Sequence, residues 1–314
     1  MGKHQPVLVT EVLAGLAVTK DGCYVDGTYG RGGHSAGILA ALGPEGRLLA
    51  LDKDPDAVTD ARQRFKDDFR FAIKHAGFED MRSVASEHFG DRAVLGVLLD
   101  LGVSSPQLDR ADRGFSFIHD GPLDMRMNSD QGITAAEWLE DVSEAELIST
   151  IKRFGEEPRA RRIARAIMSA RSRRPIETTH QLAGIVSQAL PQDRKRRTHP
   201  ATRVFQAIRI AINDELGALE RGLAGTVDLL TEGGRLSVIS FHSLEDRIVK
   251  RFIVRESRGD PAYAGLPEMP VAARPRLRAV GRLIRPQENE LDSNPRSRSA
   301  RLRIARRLGE DWNQ

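Results

Sequence analysis

The chain of 314 residues has one cysteine, Cys23, and only 5% aromatic side chains. A lone cysteine excludes a disulfide framework and fits a reducing cytoplasm. No uninterrupted apolar run approaches the ~18 to 20 residues that span a bilayer. With 29% of the residues charged, no membrane span or membrane partner is expected. Met1-Gly2-Lys3-His4-Gln5-Pro6 lead into only a short apolar stretch, so no secretory signal is expected either. His4, His34, His75 and His88 are scattered without ligand spacing, and no metal is expected. The length fits one large domain or two of ordinary size.

The excess of one charge sign is small over the whole chain and large within it. The formal net charge is +4, yet residues 151–210 carry 15 Lys or Arg against 4 Asp or Glu. Residues 271–314 carry 11 against 5, while residues 101–150 carry 3 against 10. Basic blocks set in an acidic body point to a polyanion partner for one face, nucleic acid above all.

From Asp21 onward, short apolar runs ending in Gly or Asp alternate with helical stretches. Cys23-Tyr24-Val25-Asp26, Arg47 to Asp52, Arg70 to Lys74 and Val94 to Asp100 read as strands; His34 to Leu42 and Pro55 to Phe65 read as helices. Strands apolar on both faces and separated by helices imply a parallel sheet covered on both sides. Between about 108 and 200 the strand pattern stops and helical patterns take over. Thr202 to Leu219 then reads as one amphipathic helix, with Val204, Ile208, Ala211, Ile212, Leu216 and Leu219 along one stripe. The turn Glu232-Gly233-Gly234 precedes a strand from Arg235 to Phe241, a helix from Ser243 to Val254 follows, and Ala300 to Arg306 reads as a last strand. Arg258 to Arg285 reads as a long loop. The expected architecture is an α/β domain formed by 1–107 and 201–314, interrupted by a helical insertion at 108–200.

Asp26-Gly27-Thr28-Tyr29-Gly30-Arg31-Gly32-Gly33-His34-Ser35 joins the first strand to the first helix of the sheet. Open α/β sheets bind ligands at such turns, and glycine lets the backbone approach a ligand closely. The dinucleotide spacing G-x-G-x-x-G fails, because Gly30 and Gly32 are followed by Ser35. S-adenosylmethionine has no pyrophosphate and does not need that spacing. Asp52 ends the second strand, where an acid can accept hydrogen bonds from both ribose hydroxyls. Phe78, after the third strand, is either an adenine-facing ring or a core aromatic. Asp100, ending the apolar fourth strand, belongs at the same rim.

These segments resemble the ribosomal RNA small-subunit methyltransferase H family, which methylates N4 of a cytidine in the decoding region of bacterial 16S rRNA. The resemblance continues in Leu99-Asp100-Leu101-Gly102-Val103-Ser104-Ser105-Pro106-Gln107-Leu108-Asp109, in Arg113-Gly114-Phe115-Ser116-Phe117 and in Gly121-Pro122-Leu123-Asp124-Met125-Arg126-Met127. It extends to His199 to Ala207, Ser240 to Arg247 and Asn294 to Ser299, and so covers nearly the whole chain. It implies a class I S-adenosylmethionine-dependent methyltransferase, a Rossmann-like α/β fold with an inserted helical substrate-recognition domain. The implied cofactor residues are Gly32, Gly33, His34, Asp52, Phe78, Asp100 and Gln107; His34 and Gln107 come from the resemblance alone. The implied partner is 16S rRNA, expected within the small ribosomal subunit, and the location cytoplasmic. The sequence leaves a homodimer open.

A cytosine amine is a poor nucleophile, because its lone pair is delocalised into the ring. An acceptor for its N–H groups is therefore expected, either Asp100 or a backbone carbonyl between Leu101 and Ser105. Where DNA amino-methyltransferases carry Pro-Pro and an aromatic after the acceptor, this chain has Ser105-Pro106-Gln107. The base-stacking ring is thus open, with Trp138 and Phe115 as candidates. Methylation at carbon 5 would need a cysteine nucleophile, and Cys23 is expected in the core. Arg153, Arg159, Arg161, Arg162, Arg165, Arg171, Arg173, Arg174, Arg194, Lys195, Arg196 and Arg197 form the pool for phosphate contacts. Two other classes share part of this pattern, a nicotinamide oxidoreductase and a non-catalytic RNA-binding protein. The glycine spacing argues against the first and the complete cofactor loop against the second.

Overall fold

A computed structural model describes residues 6–190, 199–263 and 269–309. Its chain divides into two compact units, one formed by 1–102 with 216–314 and the other by 103–215.

The first unit is built on seven strands: β1 (Cys23–Asp26), β2 (Arg47–Asp52), β3 (Phe71–His75), β4 (Val94–Asp100), β5 (Leu230–Ser240), β6 (Leu277–Ala279) and β7 (Arg301–Arg307). Their order across the sheet is β3-β2-β1-β4-β5-β7-β6. The first five are parallel, and β7 runs antiparallel to both β5 and β6. Alternation along the strands assigns side chains to two cores. Cys23, Val25, Leu49, Leu51, Val97 and Leu99 face one cluster with α4 (Met81–Phe89), α11 (Glu215–Leu229) and α12 (Ser243–Arg258). Tyr24, Leu48, Leu98 and Ile239 face the other, with α1 (Val9–Leu16) and α2 (Gly33–Ala41). Helices α3 (Pro55–Arg64) and α13 (Glu288–Ser293) complete this unit. The central strands β1, β2 and β4 are covered on both faces, so their interiors are apolar and their charged residues stand only at the ends.

Helices α5 (Ser105–Asp109), α6 (Ala135–Asp141), α7 (Glu144–Phe154), α8 (Ala160–Arg171), α9 (Thr179–Ala189) and α10 (Thr202–Asn213) form the second unit. Its own core joins Leu147, Ile151, Ile163, Ile167, Leu182, Val186, Val204 and Ile208. The loop before α6 is held from within. The buried Arg113 guanidinium donates to the carbonyls of Arg126 and Met127, both at 3.1 Å. Asn213 in turn accepts from Met127 N–H at 2.7 Å and donates to the Met125 carbonyl at 2.8 Å.

These units correct the expected boundaries of 108–200. The helical unit begins five residues earlier and ends fifteen later, because Val204, Phe205 and Ile208 of α10 belong to its core. The single helix expected from Thr202 to Leu219 is two. Asp214 breaks it with φ +47°, a left-handed conformation that Asp tolerates better than most residues. The stretch expected as a loop from Arg258 contains β6, whose backbone continues the sheet outside β7. Among the described residues no helix is long and apolar enough to cross a membrane.

Candidate active site

The sheet order turns outward on either side of the β1–β4 pair, where open α/β sheets form a crevice at the strand ends. Three carboxylates end strands here: Asp26 on β1, Asp52 on β2 and Asp100 on β4. The loop after β1 is tied to all three. Thr28 N–H donates to Asp26 Oδ1 at 3.1 Å, Gly30 N–H to Asp52 Oδ2 at 2.7 Å, and Asp100 N–H to Thr28 Oγ1 at 2.6 Å. Tyr29 anchors the loop from beneath, its ring packed on Phe65 and Phe71 and its hydroxyl donating to Asp60 Oδ2 at 3.0 Å. Gly32 adopts φ +63°, and a Cβ there would meet the Tyr29 ring at 2.5 Å. Only glycine fits, and the loop backbone runs close over the site without a side chain. Gly33 opens α2 and His34 follows in its first turn.

His34 is 6% exposed, with Nε2 3.5 Å from Asp100 Oδ2, too long for a good hydrogen bond. Both ring nitrogens and Asp100 Oδ1 are buried without a hydrogen-bond partner among the described residues. Burial acts to lower the His34 pKa, but the carboxylates of Asp100, Asp26 and Glu290 outweigh it and hold the imidazole above its usual value. Burial likewise pushes Asp26 up, against the hydrogen bond that Ser35 Oγ donates to its Oδ2 at 2.7 Å.

Asp52 is partly buried, and desolvation pushes its carboxyl up to about 6 against two backbone donors that pull it down. Those donors are Asp54 N–H on Oδ1 at 2.8 Å and Gly30 N–H on Oδ2. Each oxygen therefore accepts one bond and keeps capacity for another. Phe78 stands after β3 with its ring half-buried, against Gly222 on α11 and within 6.0 Å of the Lys53 ammonium. Lys53 pairs with Glu79 Oε1 at 2.7 Å.

Gly32, Gly33, His34, Asp52, Phe78 and Asp100 thus all belong to the first unit, at the ends of β1 to β4 or the turns beyond them. Gln107 belongs to the second. It is buried there, and its Oε1 accepts the Ser104 N–H at 2.9 Å at the start of α5. Trp138 is half-buried against the helical core, and Phe115 is buried beneath the Arg113 guanidinium. Arg171, expected among the phosphate contacts, instead donates to the carbonyls of Leu139 and Val142 at the end of α6. Arg161, Arg162 and Arg165 are exposed on α8. Arg194, Lys195, Arg196 and Arg197 lie outside the described residues. Cys23 is 2% exposed in the core, where burial raises its thiol pKa.

Sequence reasoning overlooked Thr28, whose hydroxyl fixes the Asp100 backbone, and Asp26, which ends the first strand just as Asp52 ends the second. It also gave no role to the end of β5, where His242 caps α12 and Glu245 accepts from Phe241 N–H at 2.8 Å and His242 N–H at 3.3 Å. The spacing His242-x-x-Glu245, a capping-box pattern, was the available signal.

The site residues suit S-adenosylmethionine. Asp52 keeps acceptor capacity of the kind a ribose needs, the glycine loop permits close approach, and Asp100 Oδ1 has no hydrogen-bond partner among the described residues. A protein named ribosomal RNA small subunit methyltransferase H from Coxiella burnetii is 53% identical over 308 residues, covering 98% of this chain and 100% of that one. Proteins of the same name from Thioalkalivibrio sulfidiphilus and Shewanella halifaxensis are 54% and 50% identical, each alignment covering 97% or 98% of either chain. A solved structure of an rRNA methylase from Streptococcus thermophilus aligns with a TM-score of 0.44 at 13% identity, over 98% of this chain and 100% of that one. The family model described as the MraW methylase family matches residues 1–308, and the chain belongs to that family.

Proposed function

We propose that this protein transfers a methyl group from S-adenosylmethionine to N4 of a cytidine in the decoding region of bacterial 16S rRNA. The substrate would be RNA of the small ribosomal subunit, in the cytoplasm. The observation that carries this reading is the glycine loop pinned between Asp52 and Asp100 at the turning point of the sheet. The names of the relatives point to the same substrate class.

When bound, the cofactor supplies a methyl group on a positively charged sulfur. Asp52 holds the ribose hydroxyls through the acceptor capacity left on each oxygen. The loop from Gly30 to Gly33 would hold the ligand by close backbone approach, and Phe78 would offer its ring to the adenine. Asp100 is the acceptor at the target amine. Its Oδ1 is buried and without a donor among the described residues, and its backbone is fixed by Thr28. Accepting an N–H there favours pyramidal nitrogen, and Asp100 Oδ1 then holds the departing proton. Orienting amine and methyl in line would provide much of the acceleration. His34 lies beside Asp100, Nε2 3.5 Å from Oδ2, and the carboxylates around the ring favour its protonated form. The helical unit, with Arg161, Arg162 and Arg165 exposed on α8, would grip phosphates without reading sequence.

Asp100→Asn tests the acid role. Single-turnover methyl transfer at saturating cofactor is expected to fall by about two to four orders of magnitude, the usual effect of losing a general base. A wild-type rate would remove Asp100 from the mechanism.

A further inference from the structure

The segment Ser240-Phe241-His242-Ser243-Leu244-Glu245 is the part of the rim that the assignments above leave without a role. β5 lies beside β4 with Ile239 opposite Asp100, and Leu101 N–H donates to the Ile239 carbonyl at 3.0 Å. The two strands therefore end level, and Leu101-Gly102 and Phe241-His242 leave the sheet side by side. Gly102 has φ +94°, and a Cβ there would stand 3.8 Å from Cδ2 of Phe241. The turn after Asp100 thus places no side chain against that edge of the Phe241 ring.

His242 is held tightly. Its Nδ1 accepts the Glu245 N–H at 3.4 Å, and Glu245 Oε2 accepts the N–H groups of Phe241 and His242 in return. An accepting Nδ1 assigns the proton of the neutral ring to Nε2. Nε2 is 3.1 Å from Glu245 Oε1, but off the line a hydrogen bond needs, and it is buried without a partner among the described residues. Nε2 thus stands beside a carboxylate oxygen but makes no hydrogen bond among the described residues, on the strand end next to Asp100. Asp100 Oδ1 is its complement, an acceptor with no donor among the described residues.

We infer that His242 is the residue that selects cytosine, donating from Nε2 to ring nitrogen N3 while Asp100 accepts from the adjacent amine. This rests on the reading that Asp100 meets a cytosine amine. The cytosine edge carries a donor amine beside an acceptor N3. Uracil carries an acceptor carbonyl beside an N–H donor, so both contacts become like against like. A site of paired buried polar groups rejects such a mismatch strongly, because its own groups are left unpaired. Phe241 gives the base an apolar flank.

Two variants separate reading from capping. Asn is a good N-cap residue, but its amide is too short to place a donor where Nε2 stands; Gln reaches that place and caps poorly. His242→Asn is expected to melt as wild type does and to bind S-adenosylmethionine with unchanged Kd. Its kcat/KM on unmethylated small subunits is expected to fall roughly tenfold or more, the discrimination one base contact supplies. His242→Gln is expected to keep most of its activity, and the reverse order would overturn the inference. RNA carrying 3-deazacytidine at the target, with C–H in place of N3, checks the contact without a variant. Wild-type enzyme should lose a similar factor, and an unchanged rate would overturn the inference as well. Mass spectrometry of the product nucleoside keeps the two failures apart. Methyl on any position other than N4 of cytidine removes the function proposed above, whereas N4-methylcytidine formed at wild-type rate by His242→Asn removes only the role of His242.

Discussion

Asp52 carries a titration that can be followed directly. Its carboxyl stands at about 6 because burial disfavours the charged form. If, as proposed, ribose hydroxyls donate to the ionised form, the bound carboxyl titrates lower than the unbound one. The sign follows from linkage. Affinity for S-adenosylmethionine is complete above about pH 6 and falls below it, by up to about tenfold per pH unit until the bound carboxyl also protonates. Calorimetry between pH 7.5 and 5 should show this fall in wild type. The Asp52→Asn variant should bind more weakly and lack that component, and identical profiles would contradict the assignment. Asp52 and Asp100 were legible in the sequence because an acid that ends an otherwise apolar strand has nowhere to go but the rim. His34 was not legible in this way. Its surroundings are made by Asp26, Asp100 and Glu290, brought from β1, β4 and α13, and no local pattern announces them. His242 shows the reverse problem, since its capping pattern was visible but its neighbours on β4 were not.

At the scale of elements, the loop after β1 depends on one backbone conformation. Gly32→Ala adds a Cβ at φ +63° and within 2.5 Å of the Tyr29 ring. The left-handed conformation alone costs about 1–2 kcal/mol with a side chain. The variant is expected to melt below wild type and to bind S-adenosylmethionine measurably more weakly. A wild-type Kd would show that the loop does not touch the cofactor. The first four strands were read from the sequence within a residue or so, because their residues face helices on both sides and are apolar in succession. The errors fall where tertiary contacts decide. Asn213 is drawn to the backbone of Met125 and Met127, and the helix breaks at the next residue, Asp214. β6 has three residues and exists as a strand only because β7 offers its edge.

For the whole molecule, the charge asymmetry acquires an address. The basic stretch 151–210 lies largely in the helical unit, where Arg161 and Arg162 are exposed and Arg171 is consumed by the carbonyls that end α6. Arg161→Glu with Arg162→Glu is expected to raise KM for small subunits several-fold and to flatten its dependence on salt, because fewer counterions are released on binding. Cofactor Kd should stay the same, and an unchanged salt slope would count against that helix face. The insertion was legible as a loss of strand pattern, but its end was not, since α10 reads as an ordinary amphipathic helix that either unit could use.

The central claim is the identity of the methylated atom. Small subunits from cells lacking this protein would be incubated with the protein and isotopically labelled S-adenosylmethionine, and their rRNA digested to nucleosides for mass spectrometry. The account predicts label in a single N4-methylated cytidine. Label in a uridine, on a ring carbon or on a ribose, or no label at all, would contradict it.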